Sequence, residues 1–164
     1  MKILVCGLPG SGKTWLSERL VKHIDNCAWY NADFVRKYAN DWDFEPEGRM
    51  RQANRMKTFA DFEKSNGRWV ICDFVAPTEN ARKAFNADYI IWIDTFKEGR
   101  VVSAKLNQLN KINNLPFDVD TLSSSKKFDD TNKMFEQPAN PDERIQSFLN
   151  DEEIKKLAEK LKNV

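Results

Sequence analysis

The chain has 164 residues with a formal net charge of +1, and 41% of its residues are apolar while 31% are charged. This length and balance are typical of one folded domain and exclude a disordered chain. The near-neutral charge gives no bulk attraction for a polyanion, and no apolar run is long enough to cross a membrane, so no membrane partner is expected. Because the three cysteines are far apart and the start does not resemble a leader, we expect a cytoplasmic protein with free thiols.

The first strand-like run, at positions 2–6, leads directly into the sequence GLPGSGKT at positions 7–14. This sequence fills every position of the pattern G-x-x-x-x-G-K-[ST], and positions 15–24 continue with helical spacing. A strand, a glycine-rich turn and a helix form the context in which backbone amides wrap a phosphate. We therefore predict a nucleoside triphosphate with Mg²⁺ as ligand, with Lys13 at the β- and γ-phosphates and Thr14 holding the metal ion; ATP is the nucleotide under the kinase interpretation given below. The predicted ATP-binding residues are Gly7, Pro9, Gly10, Ser11, Gly12, Lys13 and Thr14.

Apolar runs and helical patterns alternate along the rest of the chain. Strands are predicted at 27–30, 69–75, 89–93 and 144–148. Helices are predicted at 31–38, 46–65 and 77–85, and a final helix follows Asn150, which forms a capping box with Glu153. This alternation indicates an α/β protein with the P-loop nucleoside triphosphate hydrolase or kinase fold, in which a mostly parallel, five-stranded sheet lies between helices.

A long polar stretch at about 101–127 interrupts the alternation. It is rich in Asn, Lys, Ser and Asp, and it carries a thin apolar stripe. Such a long excursion inside a compact domain is usually functional. We predict one P-loop kinase domain over residues 1–164, in which this stretch is a lid.

Two charged residues, Asp33 and Arg36, follow the second predicted strand. They begin at the carboxyl edge of the sheet, where ligands of such folds bind, and their spacing places them on one face of a helical turn. Phosphoryl transfer to a hydroxyl needs a carboxylate near the acceptor and cations on the moving phosphate. A solvated surface ion pair is the other interpretation, but the position beside the phosphate loop favours catalysis.

The helix predicted at 46–65 carries a second candidate group. At 100° per residue, one face of this helix is formed by Gln52, Ala53, Met56, Phe59 and Ala60. Arg49 lies at the N-terminal end of this face, and a cation there must be paired or must line a cavity. Arg49 is therefore a candidate anion clamp, with Gln52 one turn further on. Arg55, at the border of the face, is expected at the surface.

Asp73 lies near the end of the third predicted strand. Acidic residues at this place commonly hold the water shell of Mg²⁺ in phosphate-loop enzymes. A helix cap or a turn is almost as well supported by the residue type alone. Asp73 is therefore a candidate metal residue with a structural alternative.

With these residues in view, the chain resembles the adenylylsulfate kinase family, which phosphorylates the 3′-hydroxyl of adenosine 5′-phosphosulfate. The resemblance runs over most of the chain. It begins with the phosphate loop and continues with shorter motifs in the order of the family. These motifs are DFVR at 33–36, FEPEGR at 44–49, FVAP at 74–77, DT at 94–95, KFDDT at 127–131, EQP at 136–138 and NPD at 140–142.

The resemblance implies a role for each matching residue. Lys13 and Asp33 would be catalytic, and Asp33 would place Mg²⁺, together with Thr14 and Asp73, and accept the proton of the hydroxyl. The implied substrate-binding residues are Arg36, Phe44, Arg49, Gln52 and Phe128. The two phenylalanines would sandwich the substrate adenine, in agreement with the use of aromatic faces as stacking platforms. Lys126 or Lys127 would supply the lysine of the lid.

Several positions depart from the family pattern. The family has an aspartate at the position of Asn31, a serine at Ala76 and an apolar residue at Asp73, and its lid signature R-D-x-K-G-L-Y is missing here. The pattern N-x-D-x-x-R with a strand-end aspartate also resembles polynucleotide 5′-kinase. A kinase acting on a hydroxyl of a nucleic acid or a modified nucleotide is therefore the alternative function.

A non-catalytic nucleotide-binding regulator is a third hypothesis, motivated by Asn31 and Ala76. The leading prediction is an ATP-dependent phosphotransferase of the adenylylsulfate kinase type, which acts in sulfate assimilation. Its partner would be a small adenylylsulfate-like nucleotide, whereas nucleic acid would be the partner under the alternative. A homodimer is compatible with either function.

Overall fold

A five-stranded parallel sheet forms the centre of the molecule. The computed structural model describes residues 1–95 and 125–164, and for residues 125–129 it describes the backbone alone. The strands lie in the order β2-β3-β1-β4-β5, and every adjacent pair is parallel. Their bounds are β1 (Lys2–Gly7), β2 (Cys27–Asn31), β3 (Trp69–Asp73), β4 (Tyr89–Ile93) and β5 (Glu143–Ile145). The predicted fold class is confirmed.

Helices cover both faces of this sheet. The helices are α1 (Lys13–Leu20), α2 (Ala32–Ala39), α3 (Pro46–Ser65), α4 (Glu79–Phe85), α5 (Ser125–Met134) and α6 (Asp151–Lys162), with a short 3₁₀ helix at Val21–His23. On β1, Ile3 and Val5 pack with α1 and α6 on one face, and Leu4 and Cys6 pack with α3 and α4 on the other. A central parallel strand is buried on both faces, so its sequence is apolar throughout and does not alternate.

The two long helices, α3 and α6, begin where the sequence predicts. Pro46 occupies the first turn of α3, where its missing N–H costs no hydrogen bond. Before α6, the side chain of Asn150 accepts from the Glu153 amide, and the Glu153 carboxylate accepts from the Asn150 amide. The predicted capping box is therefore confirmed, and it starts α6 at the residue that follows it.

Several predicted bounds are wrong, and the pairing of the strands explains two of them. Strand β3 ends at Asp73 and not at 75, because its register with β1 ends at that residue. Strand β5 spans 143–145 and not 144–148, because its partner β4 ends opposite Ile145. Helix α4 begins at Glu79 and not at 77, since the side chain of Thr78 caps the helix by accepting from the Ala81 amide.

The buried face of α3 is rotated from the predicted one. Its buried residues are Gly48, Gln52, Met56, Ala60 and Glu63, whereas Phe59 is 37% exposed and stacks on Tyr30 with ring centroids 5.2 Å apart. Glu63 faces inward because its carboxylate accepts from the Tyr30 hydroxyl and from the Arg68 guanidinium. A count of apolar residues alone misses this paired carboxylate.

The predicted lid at about 101–127 lies outside the described residues, except for its last three positions, where the backbone of α5 begins. Among the described residues, none of the helices has the length and apolarity needed to cross a membrane.

Candidate active site

The phosphate loop lies between β1 and α1, at the carboxyl edge of the sheet. Gly12 caps α1 with a left-handed φ of 102°, and an added Cβ there would lie 2.8 Å from the Phe148 ring. At Gly7, which has a φ of 150°, an added Cβ would lie 2.5 Å from the carbonyl oxygen of Ile93. These two positions require glycine because a side chain would meet both a strained backbone and a neighbouring group. The backbone N–H groups at the start of α1 consequently face the open end of the loop.

Two further residues hold the loop in place. Lys13 reaches back over it and donates from Nζ to the Leu8 carbonyl oxygen at 2.8 Å. Thr95, which follows β4, donates from Oγ1 to the Ser11 carbonyl oxygen at 2.6 Å. The Ser11 hydroxyl is buried and has no hydrogen-bond partner among the described residues. The phosphate loop is thus preformed, and the buried Ser11 hydroxyl can still form a hydrogen bond with a ligand.

Two carboxylates share the electrostatic environment of Lys13. Burial lowers the pKa of the Lys13 ammonium, while Asp73 and Asp33 oppose that change. Burial also raises the pKa of Asp33, and the nearby charges of Lys13 and Arg36 act in the opposite direction. The structure therefore brings Lys13, Asp33 and Asp73 together, as the sequence predicts.

Asp73 contacts the phosphate loop through Thr14. Its Oδ1 atom lies 3.4 Å from the Thr14 hydroxyl, which donates to it, and Asn31 Nδ2 donates to both groups. Trp29 donates from its indole nitrogen to Asp73 Oδ2 at 2.7 Å. Burial raises the pKa of Asp73 to about 6, against the lowering effect of the Trp29 hydrogen bond. A hydroxyl and a carboxylate at the edge of a phosphate loop are hard oxygen ligands, the type that Mg²⁺ prefers.

Helix α2 presents Asp33 and Arg36. Asn31 caps this helix by accepting from the Asp33 and Phe34 amides, which places Asp33 in the first turn. Arg36 is 5% exposed, and its Nη1 donates to the carbonyl oxygens of Asp41 and Asp43, each at 3.0 Å. Among the described residues, Arg36 Nε and Nη2 have no acceptor. Arg36 is therefore a buried cation that is held in place by two backbone carbonyls. It is not part of a solvated surface ion pair.

Arg49 and Phe44 lie next to Arg36. Arg49 donates from Nε to the Phe44 carbonyl oxygen at 2.6 Å, and both of its terminal nitrogens lie 3.2 Å from Thr131 Oγ1 on α5. The Arg36 guanidinium lies 4.3 Å from the Phe44 ring centroid, and that of Arg49 lies 5.9 Å from it. The structure thus groups two arginines around one aromatic ring. Arg36 lies over the Phe44 ring, and stacking of a base on Phe44 stays a prediction.

Gln52 is buried, and both ends of its amide bond to the protein. Its Nε2 donates to the Ala32 carbonyl oxygen at 2.9 Å, and its Oε1 accepts from Arg55 at 3.2 Å. This arrangement fixes the start of α2, immediately before Asp33. Direct contact between Gln52 and a substrate stays a prediction.

An ion-pair cluster that sequence reasoning missed supports this region. Asp41 is 9% exposed, and it accepts two hydrogen bonds from Arg51 at 2.6 and 2.9 Å. Arg55, which was expected at the surface, is only 26% exposed and pairs with the same carboxylate at 2.7 Å. The hydrogen bonds from Arg51 and Arg55 hold the pKa of the Asp41 carboxyl well below its usual range. The cluster connects the 41–44 loop to α3 and, through Arg55, to Gln52.

Some predicted site residues lie outside these contacts. The side chains of Lys126, Lys127 and Phe128 lie outside the described residues, although their backbone forms part of α5. Within the described parts of the chain, no three His, Cys, Asp or Glu side chains come together as a metal cluster. Such a cluster is not what Mg²⁺ needs when phosphate oxygens supply the remaining ligands.

The sequence analysis did not single out three residues that contact the site: Trp29, Phe148 and Asp41. One signal for Trp29 is present in the sequence: it precedes Asn31 by two positions, and residues two apart on a strand share one face. The spacing of Arg51 and Arg55, four apart on α3, similarly places both on one side of the helix. Phe148, which follows the last strand, packs edge-on against Trp15 with ring centroids 5.5 Å apart and borders the loop at Gly12.

The fold and the phosphate loop define a P-loop nucleotide-binding protein. A family model described as an AAA domain matches residues 3–114, more than half of the chain, and the chain belongs to that family.

A curated relative from Aeropyrum pernix, a probable adenylyl-sulfate kinase, is 33% identical to the chain over 85 residues. The aligned stretch covers 49% of this chain and 46% of the relative, so the match spans about half the length of that protein. The relationship that the sequence motifs predicted is therefore confirmed over this stretch.

Two solved structures share the fold over almost the whole chain. The APS kinase of Mycobacterium tuberculosis, in complex with AMPPNP and APS, has a TM-score of 0.67 at 18% identity, covering 99% of this chain and 95% of that chain. A sugar kinase from Janibacter sp. has a TM-score of 0.67 at 15% identity, covering 99% of this chain and 94% of that chain. At these identities the likeness shows the fold alone. The predicted P-loop fold is therefore confirmed, and the predicted kinase relationship rests on the curated relative.

Proposed function

We propose that this protein is an ATP- and Mg²⁺-dependent kinase that transfers the γ-phosphate to a hydroxyl of an adenylylsulfate-like nucleotide. The observation that carries the proposal is the position of Asp33 in the first turn of α2, where the charges of Lys13 and buried Arg36 oppose the rise in its pKa that burial causes. A carboxylate near a phosphate-binding lysine and a second cation is what transfer to a hydroxyl requires. The curated relative supports the nucleotide acceptor over half of the chain.

The phosphate loop would hold the triphosphate of ATP. Backbone amides at the start of α1 and the Lys13 ammonium would neutralise its charge, and a phosphate oxygen would give the buried Ser11 hydroxyl a partner. On ATP binding, Lys13 would exchange its bond to the Leu8 carbonyl for phosphate oxygens. This exchange costs little because the lysine already lies over the loop.

Thr14 and Asp73 fit a magnesium site. The Thr14 hydroxyl would be a direct ligand, and the carboxylates of Asp73 and Asp33 would accept hydrogen bonds from the metal's water shell. When bound, Mg²⁺ neutralises charge on the β- and γ-phosphates. The protein's own part is to hold these oxygens at the edge of the loop, where Asn31 and Trp29 fix the Asp73 carboxylate.

Asp33 would act on the acceptor. In its ionised form it would accept a hydrogen bond from the attacking hydroxyl, orient the oxygen and take up its proton as the new P–O bond forms and the bond from the γ-phosphorus to ADP breaks, so that ADP leaves. Arg36 has N–H groups with no acceptor in the described structure, and these would bind the anionic group of the acceptor. Arg49 and Phe44 would border the same pocket, and closure of the predicted lid would exclude water that competes for the phosphate.

The test of this function is a comparison of acceptors. Purified protein is given γ-labelled ATP, Mg²⁺ and one of three acceptors: adenylylsulfate, a 5′-hydroxyl oligonucleotide, or gluconate, which represents the sugar kinases that share the fold. We expect kcat/KM to be highest for adenylylsulfate. The oligonucleotide is included because Asn31, Asp33, Arg36 and strand-end Asp73 also match the polynucleotide kinase pattern, and label in the oligonucleotide alone would overturn the proposal. Tight ATP binding with no transfer to any acceptor would instead support a regulator.

The Asp41 cluster gives a prediction about acceptor binding. We expect Asp41→Asn to raise the KM for adenylylsulfate about tenfold and to leave ATP affinity unchanged, because the 41–44 loop and Arg36 lose an ionic support. Initial rates at varied acceptor concentration measure this change. Asp43→Asn is the matched control, since Asp43 is on the same loop but accepts from Arg51 at 3.2 Å and is more exposed. Equal KM values for the two variants would contradict the prediction.

Participation in sulfate assimilation, the cytoplasmic location and a homodimer stay predictions. The proposal has two levels: the reaction, which is transfer of phosphate from ATP to a hydroxyl, and the acceptor, which is adenylylsulfate. The acceptor comparison tests both levels in one experiment.

A further inference from the structure

Asn31 and Asp73 are the last residues of the neighbouring strands β2 and β3, and they pair directly in the register. Both are buried, with 3% and 2% of their surface exposed. Asn31 Nδ2 lies 2.9 Å from Thr14 Oγ1 and 2.5 Å from Asp73 Oδ1, and Asp73 Oδ1 lies 3.4 Å from the same threonine hydroxyl. Two side chains from different strands therefore converge on one hydroxyl of the phosphate loop.

The orientation of the Asn31 amide is fixed by its role as a helix cap. Its Oδ1 accepts from the Asp33 and Phe34 amides, both at 3.0 Å, so the NH₂ group has to face Asp73 and Thr14. A carboxylate at this position could keep the cap, but it would place a second negative charge against Asp73 Oδ1. Like charges at this distance in a buried site are strongly unfavourable. The pair is consequently suited to one negative charge and one neutral amide.

Trp29 completes the support of Asp73. It lies two residues before Asn31 on β2, so both side chains are on the same face of the strand. Its indole N–H donates to Asp73 Oδ2 at 2.7 Å, while Asn31 donates to Oδ1. The two oxygens of the carboxylate are thus held separately by two residues of β2, which leaves the carboxylate little freedom to rotate away from Thr14.

We propose that Asn31 and Trp29 are positioning residues for the carboxylate at the Thr14 hydroxyl, and that this carboxylate can be supplied from either strand. In this protein the charge is on β3 and its neutral partner is on β2. The reversed pair, Asn31→Asp with Asp73→Asn, keeps one charge and one amide at the same place. The inference rests on the proposed binding of ATP with Mg²⁺, and it is independent of which acceptor is used.

The test is an exchange of the two side chains. Four proteins are compared: the wild type, N31D, D73N and the double variant N31D/D73N. Calorimetry with the non-hydrolysable analogue AMPPNP, in the presence and absence of Mg²⁺, measures how much the metal strengthens binding, and thermal unfolding measures stability. Neither readout depends on catalysis.

We expect D73N to lose most of the Mg²⁺-dependent gain in affinity, about tenfold or more, and the double variant to recover it to within about threefold. N31D alone should unfold at a lower temperature without Mg²⁺, and the metal should restore much of the difference. A double variant that binds no better than D73N would overturn the exchange, and so would an N31D protein with unchanged metal-free stability.

The positioning role of Trp29 is tested with a separate variant. This test can still contradict the inference if the double variant N31D/D73N does not fold. Trp29→Phe keeps the ring but removes the N–H donor. We expect it to reduce the Mg²⁺-dependent gain severalfold and to leave metal-free AMPPNP binding unchanged. Trp69→Phe is the matched control, because Trp69 lies on neighbouring β3 at the opposite end of the strand from Asp73. An equal response of the two variants would overturn the positioning role.

This experiment separates failure of the inference from failure of the proposed function. If wild-type protein does not bind AMPPNP at all, the proposed ATP site is wrong. If the wild type binds with a clear magnesium dependence and the exchange does not restore it, the inference alone is wrong.

Discussion

We expect the Asp33→Asn variant to lose about 10²–10⁴-fold in kcat while its affinity for ATP is retained. The amide keeps the size of the side chain, so the packing at the start of α2 is preserved. It cannot take up the proton of the acceptor hydroxyl, and it does not carry the charge that interacts with Lys13 and Arg36. The loss should therefore appear in turnover and not in nucleotide binding.

The measurement is steady-state phosphate transfer beside calorimetric titration with AMPPNP. Asp25→Asn is the control, since Asp25 is an exposed turn residue. Turnover of Asp33→Asn close to that of the wild type would remove Asp33 from the mechanism, whichever hydroxyl is the acceptor.

The Lys13→Ala variant should show the second large effect, a loss of at least about 10²-fold in affinity for Mg²⁺–AMPPNP and a larger loss in kcat/KM. The substitution removes the ammonium that would face the β- and γ-phosphates. It also leaves Asp33 and Asp73 without the cation that interacts with both. The triphosphate would then meet two carboxylates with less positive charge beside them, since Arg36 alone still acts on Asp33.

Lys22→Ala is the matched control, because Lys22 is an exposed lysine on the 3₁₀ helix that follows α1. It should bind the analogue like the wild type. Thermal unfolding of both variants shows whether the fold is retained. An unchanged binding heat for Lys13→Ala would contradict the assignment of the phosphate loop.

Those parts of the fold and site that depend on local patterns could be predicted from the sequence. The phosphate loop, the five strands and the α6 cap each depend on residues that are close together in the chain. Asp33 and Arg36 were also predicted, because the end of a parallel strand places them at the ligand-binding edge.

Contacts between distant segments could not be predicted in this way. The bond from Trp29 to Asp73 joins β2 to β3, and it exists because these strands are neighbours in the sheet order. No local pattern encodes that order. The pairing of Arg49 with Thr131 joins residues 82 positions apart, so the sequence could suggest a buried cation but not its partner.

The rotated face of α3 shows a different reason for error. The hydrophobic pattern favoured Phe59 as an inward residue, but the structure buries Glu63 on the inner face, where both of its carboxylate oxygens accept hydrogen bonds. A periodic pattern of apolar residues counts such polar groups as exposed. Their burial is stable because each has partners, which depends on the three-dimensional contacts.

The central claim is that the γ-phosphate of ATP held by the loop passes to a hydroxyl held near Asp33 and Arg36. A single-turnover reaction with γ-labelled ATP, Mg²⁺ and excess adenylylsulfate tests it most directly, with label counted in the nucleotide product and in inorganic phosphate. We predict that most of the label appears in the nucleotide product. Label that remains in ATP, or that appears in inorganic phosphate alone, would contradict the account.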